Sequence, residues 1–144
     1  MNNQDIEILS YMRHNSRNSI TEMSRDFGLP ILEMMDRMKI YEKNYIRNYT
    51  CVLNFDKAGF KFDVFIILKI NERIVKRFEK FVTNNKYVNS FFSIGNGKYL
   101  IEFLFRNEFV FNNFFEKMKK EFSIEEFDIL KISHELKREC FLES

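Results

Sequence analysis

Arg17-Asn18-Ser19-Ile20-Thr21-Glu22-Met23-Ser24-Arg25-Asp26-Phe27-Gly28-Leu29-Pro30 reads as a helix, a tight turn and the opening of a second helix. Ser19 can cap a helix N-terminus while Glu22, three residues on, reaches back to the cap's own N–H, so Ser-Ile-Thr-Glu is a capping box. Ile20, Met23 and Phe27 recur at i, i+3 and i+7 and so share one buried face. Gly28 follows the last apolar position, where a left-handed residue costs glycine least. Pro30 supplies a fixed φ suited to the first turn of the next helix. This is the helix-turn-helix pattern, whose second helix can lie in a DNA major groove.

Working outward, Asp5 to Met12 carries Ile6, Leu9 and Met12 behind Asn2, Asn3 or Asp5 as a cap, which predicts an amphipathic first helix packed on the Ile20/Met23/Phe27 face. The third helix is expected from about Pro30 to Asn44, with Met34, Met38 and Tyr41 inward and Glu33, Asp36, Arg37, Lys39 and Lys43 outward. Tyr45 to Asn54 is rich in β-branched and aromatic residues and is expected as the strand, or wing, of a winged helix-turn-helix. Asp56-Lys57-Ala58-Gly59 is a polar turn between two differently patterned halves.

Beyond it, Phe62 to Ile70 is a nearly continuous apolar run, the pattern of a strand covered on both faces. Ile74, Val75, Phe78, Phe81 and Val82 return to helical spacing, and Asn84-Asn85 ends that helix. Val88 to Ile94 and Tyr99 to Phe105 form a hairpin about Gly95-Asn96-Gly97. Glu108 to Phe122 is a helix with Phe111, Phe114, Phe115, Met118 and Phe122 on its inner face. Phe127 to His134 closes as a fourth strand, and Leu136 to Ser144 is a charged tail. The order β-α-β-β-α-β is the split βαβ, or ferredoxin-like, arrangement. The fold class is therefore α+β: a winged helix-turn-helix domain over residues 1–54, a linker over 55–61 and a ferredoxin-like domain over 62–144. Two helices on one sheet face leave the other open, and a large apolar face left in water is expected to dimerise.

Composition narrows the function. The chain has 144 residues, 45% hydrophobic and 31% charged, which suits an ordered globular protein rather than a disordered tail. No apolar run approaches the roughly 20 residues that span a bilayer, and the polar Met1 to Asp5 stretch has no signal-peptide core behind it, so a cytoplasmic protein without a membrane partner is expected. Cys51, Cys140, His14 and His134 lie far apart and outside any metal-binding spacing, so no metal, no cofactor and free, inert thiols are expected. Eighteen Phe with no Trp, beside many Asn, Lys and Ile, look like codon bias toward A and T. The net charge of +2 does not by itself announce a nucleic-acid partner. Neither histidine has a nucleophile motif beside it, which argues against an enzyme.

The residues Asp5-x-x-Ile8-Leu9, Asn15-Ser16-Arg17-x-Ser19-x-x-Glu22-Met23-Ser24, Gly28-Leu29, Arg37, Glu42, Ile46, Tyr49-Thr50-x-x-Leu53-Asn54 and Ser93-Ile94-Gly95-x-x-x-Tyr99-Leu100, in this order of domains, resemble the Lrp/AsnC, or feast/famine, transcription regulators. The resemblance runs from Asp5 to about Lys137, and its specific part is the first half. It implies a homodimer, often assembled into tetramers or octamers, that binds double-stranded promoter DNA and responds to a small effector, commonly an amino acid. The effector turn, Gly-Asp-Tyr-Asp-Tyr in the family, is here Gly95-Asn96-Gly97-Lys98-Tyr99. Two acids are missing and a lysine has arrived, which leaves an altered, anionic ligand or none. Siroheme decarboxylases look similar too, but two histidines and no tetrapyrrole cluster do not follow them.

On this basis the candidate DNA contacts are Arg17, Arg25, Leu32, Arg37, Lys39, Lys43 and Arg47, chiefly on phosphates, with Arg37 and Lys39 nearest the groove and Leu32 on a thymine methyl. The plain alternative is a solvated face on which Arg37 pairs with Glu33. Where the family tends to open the recognition helix with Ser or Thr and basic residues, this chain has Pro30-Ile31-Leu32-Glu33-Met34-Met35-Asp36. Eight basic residues between Met1 and Gly59 face eight acidic ones. A neutral first domain should bind nonspecific DNA weakly and depend on multivalency. A ligand-sensing module that acts through mixed oligomers is the second reading.

Overall fold

The computed structural model describes residues 2–138; the expectations for Cys140 and for the end of the charged tail fall outside them. The chain divides into two compact units, one reaching to Val52 and taking in Lys137 and Arg138, the other running from Leu53 to Leu136.

The first unit is three helices: α1 (Asn3–His14), α2 (Ile20–Asp26) and α3 (Ile31–Asn44). Both α1 and α2 begin on a complete capping box, Asn2 with Asp5 and Ser19 with Glu22, so each first turn has its orphan donors satisfied reciprocally. Gly28 takes φ +63°, the left-handed geometry the turn needs. Leu29 N–H then donates to the Ser24 carbonyl at 2.9 Å, closing the turn, and the Ser24 hydroxyl donates to the Leu29 carbonyl. Pro30 caps α3 without a side-chain bond, its carbonyl accepting from Met34 N–H at 3.0 Å. The core is Ile8, Met12, Met23, Met34, Met38 and Tyr41, with Leu9, Tyr11, Ile20, Phe27, Leu29 and Ile46 packed on it.

The expected strand over Tyr45–Asn54 does not form: Tyr45 ends α3, and residues 46–54 are neither helix nor strand. A β-prone run becomes a strand only when a neighbour supplies ladder hydrogen bonds, and among the described residues of this unit there is no second strand. The wing is therefore an irregular segment, anchored by partly buried Ile46 and by the Tyr49 hydroxyl donating to Glu42 Oε1 at 3.0 Å.

The second unit is an antiparallel sheet of β1 (Phe62–Lys69), β2 (Val88–Gly95), β3 (Lys98–Phe105) and β4 (Phe127–Lys131), ordered β2-β3-β1-β4. A 3₁₀ turn (Glu72–Ile74) leads into α4 (Val75–Thr83), and α5 (Glu108–Phe122) links β3 to β4. The fourth strand stops at Lys131, short of the expected His134: its ladder with β1 ends at Lys131 opposite Val64, and beyond it Ile132 N–H still donates to the Asp63 carbonyl at 3.0 Å. Register puts Phe62, Val64, Ile66 and Leu68 beside Phe105, Phe103, Ile101 and Tyr99, all buried beneath α4 and α5. The alternate residues Phe65, Ile67 and Leu100 are half-buried on the other face, which no helix of this unit covers. The continuous apolar run in β1 is thus one fully buried row and one row on an open face, rather than two covered faces.

Candidate nucleic-acid interface and effector turn

On α3 the buried Met34, Met38 and Tyr41 fix which side looks out. Leu32, Asp36, Lys39 and Lys43 then recur at i, i+4, i+7 and i+11 as one exposed stripe. Leu32 is 75% exposed, so it is presented rather than packed against the turn. Lys39 Nζ lies 3.0 Å from Asp36 Oδ1, with both side chains largely in water, so this pair is weak and readily exchanged for another anion. Arg17 sits in the exposed turn between α1 and α2, its N–H donating to Asn15 Oδ1 at 3.1 Å. Arg25 is exposed at the end of α2, where its Nε donates to Asp26 Oδ1 at 3.1 Å. Arg47 is exposed in the irregular wing.

Arg37 stands apart from this stripe. Its Nη2 donates to Glu33 Oε1 at 2.7 Å and its Nη1 to Asp5 Oδ1 at 3.3 Å, with the side chain only 21% exposed. Asp5 also accepts the Tyr41 hydroxyl at 2.6 Å. The three side chains form a clasp between α1 and α3. The Tyr41 hydrogen bond, then the backbone bond from Asn2, hold the Asp5 carboxyl below its ordinary range. Burial first, and the Asp5 bond second, push the Tyr41 phenol up to about 12. Nothing local in the sequence signals this clasp, since Asp5 lies far along the chain from both partners.

Beside α3, Met12, Met23, Met35 and Met38 floor a cleft of about 250 Å³ whose rim includes Ser16, Asn18, Lys39, Glu42 and Tyr49. Ser16 and Asn18 lie too far along the chain from Glu42 for spacing alone to bring them to one cleft.

In the second unit the hairpin turn has Asn96 at φ 53° and Gly97 at φ 71°, the paired positive values of a tight two-residue hairpin. Gly97 has a second constraint: a Cβ there would meet the Ile70 carbonyl oxygen at 3.0 Å. Gly95, Asn96 and Lys98 are exposed, but Tyr99 is 4% exposed and its hydroxyl donates to Glu79 Oε1 at 2.8 Å. Burial, then that bond, push the Tyr99 phenol up to about 12. Tyr99 is therefore a core residue that tethers the turn to α4. On the open sheet face Glu102 is buried, its Oε2 accepting from Asn89 Nδ2 at 2.7 Å and Ser90 Oγ at 2.6 Å. Sequence patterning offers no reason to expect a carboxylate buried in a sheet centre.

Among the described residues no group of three or more His, Cys, Asp or Glu is placed to hold a metal ion. No described helix is long and apolar enough to cross a membrane.

No family model matches the chain. An uncharacterised HTH-type transcriptional regulator of Pyrococcus furiosus is 24% identical over 96 residues, spanning 66% of this chain and 64% of that protein. A second such regulator, from Pyrococcus horikoshii, is 25% identical over 113 residues, 76% of each chain. Among solved structures, a transcriptional regulator of Neisseria meningitidis in complex with L-methionine superposes with a TM-score of 0.86 at 21% identity, covering 96% of this chain and 93% of that one. LrpC of Bacillus subtilis gives 0.86 at 16%, covering 95% and 97%. An AsnC family regulator of Agrobacterium tumefaciens gives 0.83 at 21%, covering 96% and 94%. The fold is that of the Lrp/AsnC regulators, from the helix-turn-helix through the ferredoxin-like unit.

Proposed function

We propose that this protein is an Lrp/AsnC-type transcriptional regulator, not an enzyme, that binds double-stranded promoter DNA in the cytoplasm through α3. The observation that carries this reading is the exposed Leu32–Asp36–Lys39–Lys43 stripe, held outward by a helix-turn-helix whose first helix starts on a capping box and whose turn is closed by Leu29 N–H on the Ser24 carbonyl. Arg17, Arg25, Lys39, Lys43 and Arg47 serve phosphates, and Leu32 serves a base edge. Arg37 acts from beneath: its guanidinium, paired with Glu33 and Asp5, ties α3 to α1 and positions the helix rather than reaching DNA. Replacing Lys39 and Lys43 with Ala tests this. Promoter affinity should fall at least tenfold with helix content unchanged; an unaltered affinity removes α3 as the reading helix.

The protein works as a homodimer or larger assembly. Phe92, 53% exposed, and Leu130, 49% exposed, extend the half-buried Phe65, Ile67 and Leu100 into an apolar sheet face that pairing of two copies would cover. The linker of residues 55–61 joins the domains of residues 1–54 and 62–144. A small effector is taken near Gly95-Asn96-Gly97-Lys98-Tyr99. The methionine complex of the Neisseria protein supports an effector, and Lys98, in a turn with no acid, favours an anionic one. Light scattering at micromolar concentration should report a dimer or larger, and a monomer would remove this part.

The acids on α3 favour a second reading, in which DNA affinity is slight and the chain acts in mixed oligomers. Asp36 on the exposed stripe repels phosphate. Co-purification of a related regulator, with no promoter preference by this chain alone, would favour it.

A further inference from the structure

The positive charge of this chain is not where its helix-turn-helix is. Residues 1–52 carry as many acids as bases, whereas the stretch from Asn71 to Tyr87 carries Arg73, Lys76, Arg77, Lys80 and Lys86 against Glu72 and Glu79. Arg73, Lys76, Arg77 and Lys80 recur at i, i+3, i+4 and i+7, so the 3₁₀ turn and α4 present them along one exposed side. Phe78 and Val82 face the core and Glu79 accepts from Tyr99, which leaves exposed Glu72, beside Arg73 at the start of the strip, as the acid of this stretch that stays in water.

Several cations elsewhere in this unit are matched: Lys69 with Glu126, Lys119 with Glu116, and Lys131 with Glu108. Along α4 Arg77 is matched too, its Nη2 2.8 Å from Glu121 Oε1, with its guanidinium over the Phe122 ring. Arg73, Lys76 and Lys80 form no ion pair among the described residues. Lys117, one turn before Glu121 on α5, is exposed and extends the basic strip onto the neighbouring helix. Like charges at i and i+4, as in Lys76 and Lys80, cost a helix a few tenths of a kcal/mol. An anionic partner removes that cost.

We propose that Arg73, Lys76 and Lys80, flanked by Lys117, form a sequence-independent docking surface for the phosphate backbone of duplex DNA, separate from the α3 stripe. The inference rests on the DNA-binding reading above and supplies what the neutral first unit lacks, a source of nonspecific affinity. Lysines and an arginine spaced along a helix side suit a row of phosphates, and counterion release makes such a surface steeply salt-dependent. The three side chains are exposed, so replacing them leaves the core intact.

The test is the full-length Arg73→Gln/Lys76→Gln/Lys80→Gln variant, checked for unchanged circular dichroism and compared with wild type across a salt series. The probes are a long duplex carrying the gene's own upstream region and a shuffled duplex of equal length. On both, the slope of log affinity against log salt should become shallower by about 2 to 3, near 0.9 for each phosphate no longer neutralised, with the preference between them retained. An unchanged slope overturns this inference while leaving the regulator reading intact. Salt-steep binding that depends on the three residues but shows no preference would keep this surface and sink the operator reading. If the variant instead loses binding to anionic lipid vesicles while its DNA slope is unchanged, the surface serves a membrane and the inference falls.

Discussion

The two units of this chain are packed from different materials. The first is floored by four methionines, Met12, Met23, Met34 and Met38, with Ile8 and Tyr41. The second is a lattice of rings: Phe78 contacts Phe91, Tyr99 and Phe122, while Phe105 contacts Tyr87, Phe103, Phe111 and Phe114, at centroid separations of 4.5 to 6.3 Å. Thioethers are flexible and fill gaps; rings bury large areas in few rotamers and interlock. The first unit compensates with directional polar contacts, two capping boxes and the Asp5–Arg37–Tyr41 clasp. A domain held by caps and clasps keeps its surface geometry with a small core, whereas the sheet unit holds itself by bulk.

Four substitutions sharpen or break that contrast, each read by native-state hydrogen exchange, which follows the units separately. Phe103→Ala, at a fully buried position among rings, should destabilise the sheet unit by about 3–5 kcal/mol. Met34→Ala should cost the first unit about 2–3 kcal/mol, because neighbouring methionines can relax into part of the space. If Met34→Ala proves as costly as Phe103→Ala, the cores do not differ as described. Asp5→Ala leaves Tyr41 and Arg37 without their shared acceptor and should cost about 1–3 kcal/mol in the first unit alone.

The clasp also carries a pH signature. The folded-state value of Asp5 is depressed, so its contribution is present above the ordinary carboxylate value and is lost as pH falls through the folded one. Acid should therefore loosen the wild-type first unit more than the Asp5→Ala variant, and identical acid profiles would contradict the clasp. Tyr41 titrates at the other end of the scale: with its phenol pushed up from 10.0 to about 12, its support is full below the ordinary value and is lost as pH rises through the folded one. Ser19→Ala, which removes one cap, is the smallest change at about 1 kcal/mol, with exchange rising first at the start of α2.

Local chemistry made most of this fold legible. The Ser19–Glu22 box, Gly28 and the spacing of Met34, Met38 and Tyr41 each write their geometry within a few residues, and Phe111, Phe115, Met118 and Phe122 mark the buried side of α5. What did not show depends on distant partners. The wing residues have strand chemistry, but pairing is a property of two strands. The sequence offers Asp5 as a helix cap and gives no sign of its second role or of Glu102's burial; the fold brings Tyr41 and Arg37 to one and Asn89 and Ser90 to the other. The same limit applied to the candidate interface: Glu33 four residues before Arg37 offered a pairing, but only the fold shows that Asp5 completes it and draws the guanidinium off the exposed stripe.

The most direct test is a binding titration of the purified protein against the DNA upstream of its own gene and a shuffled control of the same length, at several salt concentrations. A promoter-reading regulator should bind the upstream sequence more tightly at every salt, with affinity for both falling steeply as salt rises. Equal, feeble binding to the two would contradict that reading and turn attention to the chain's protein partners.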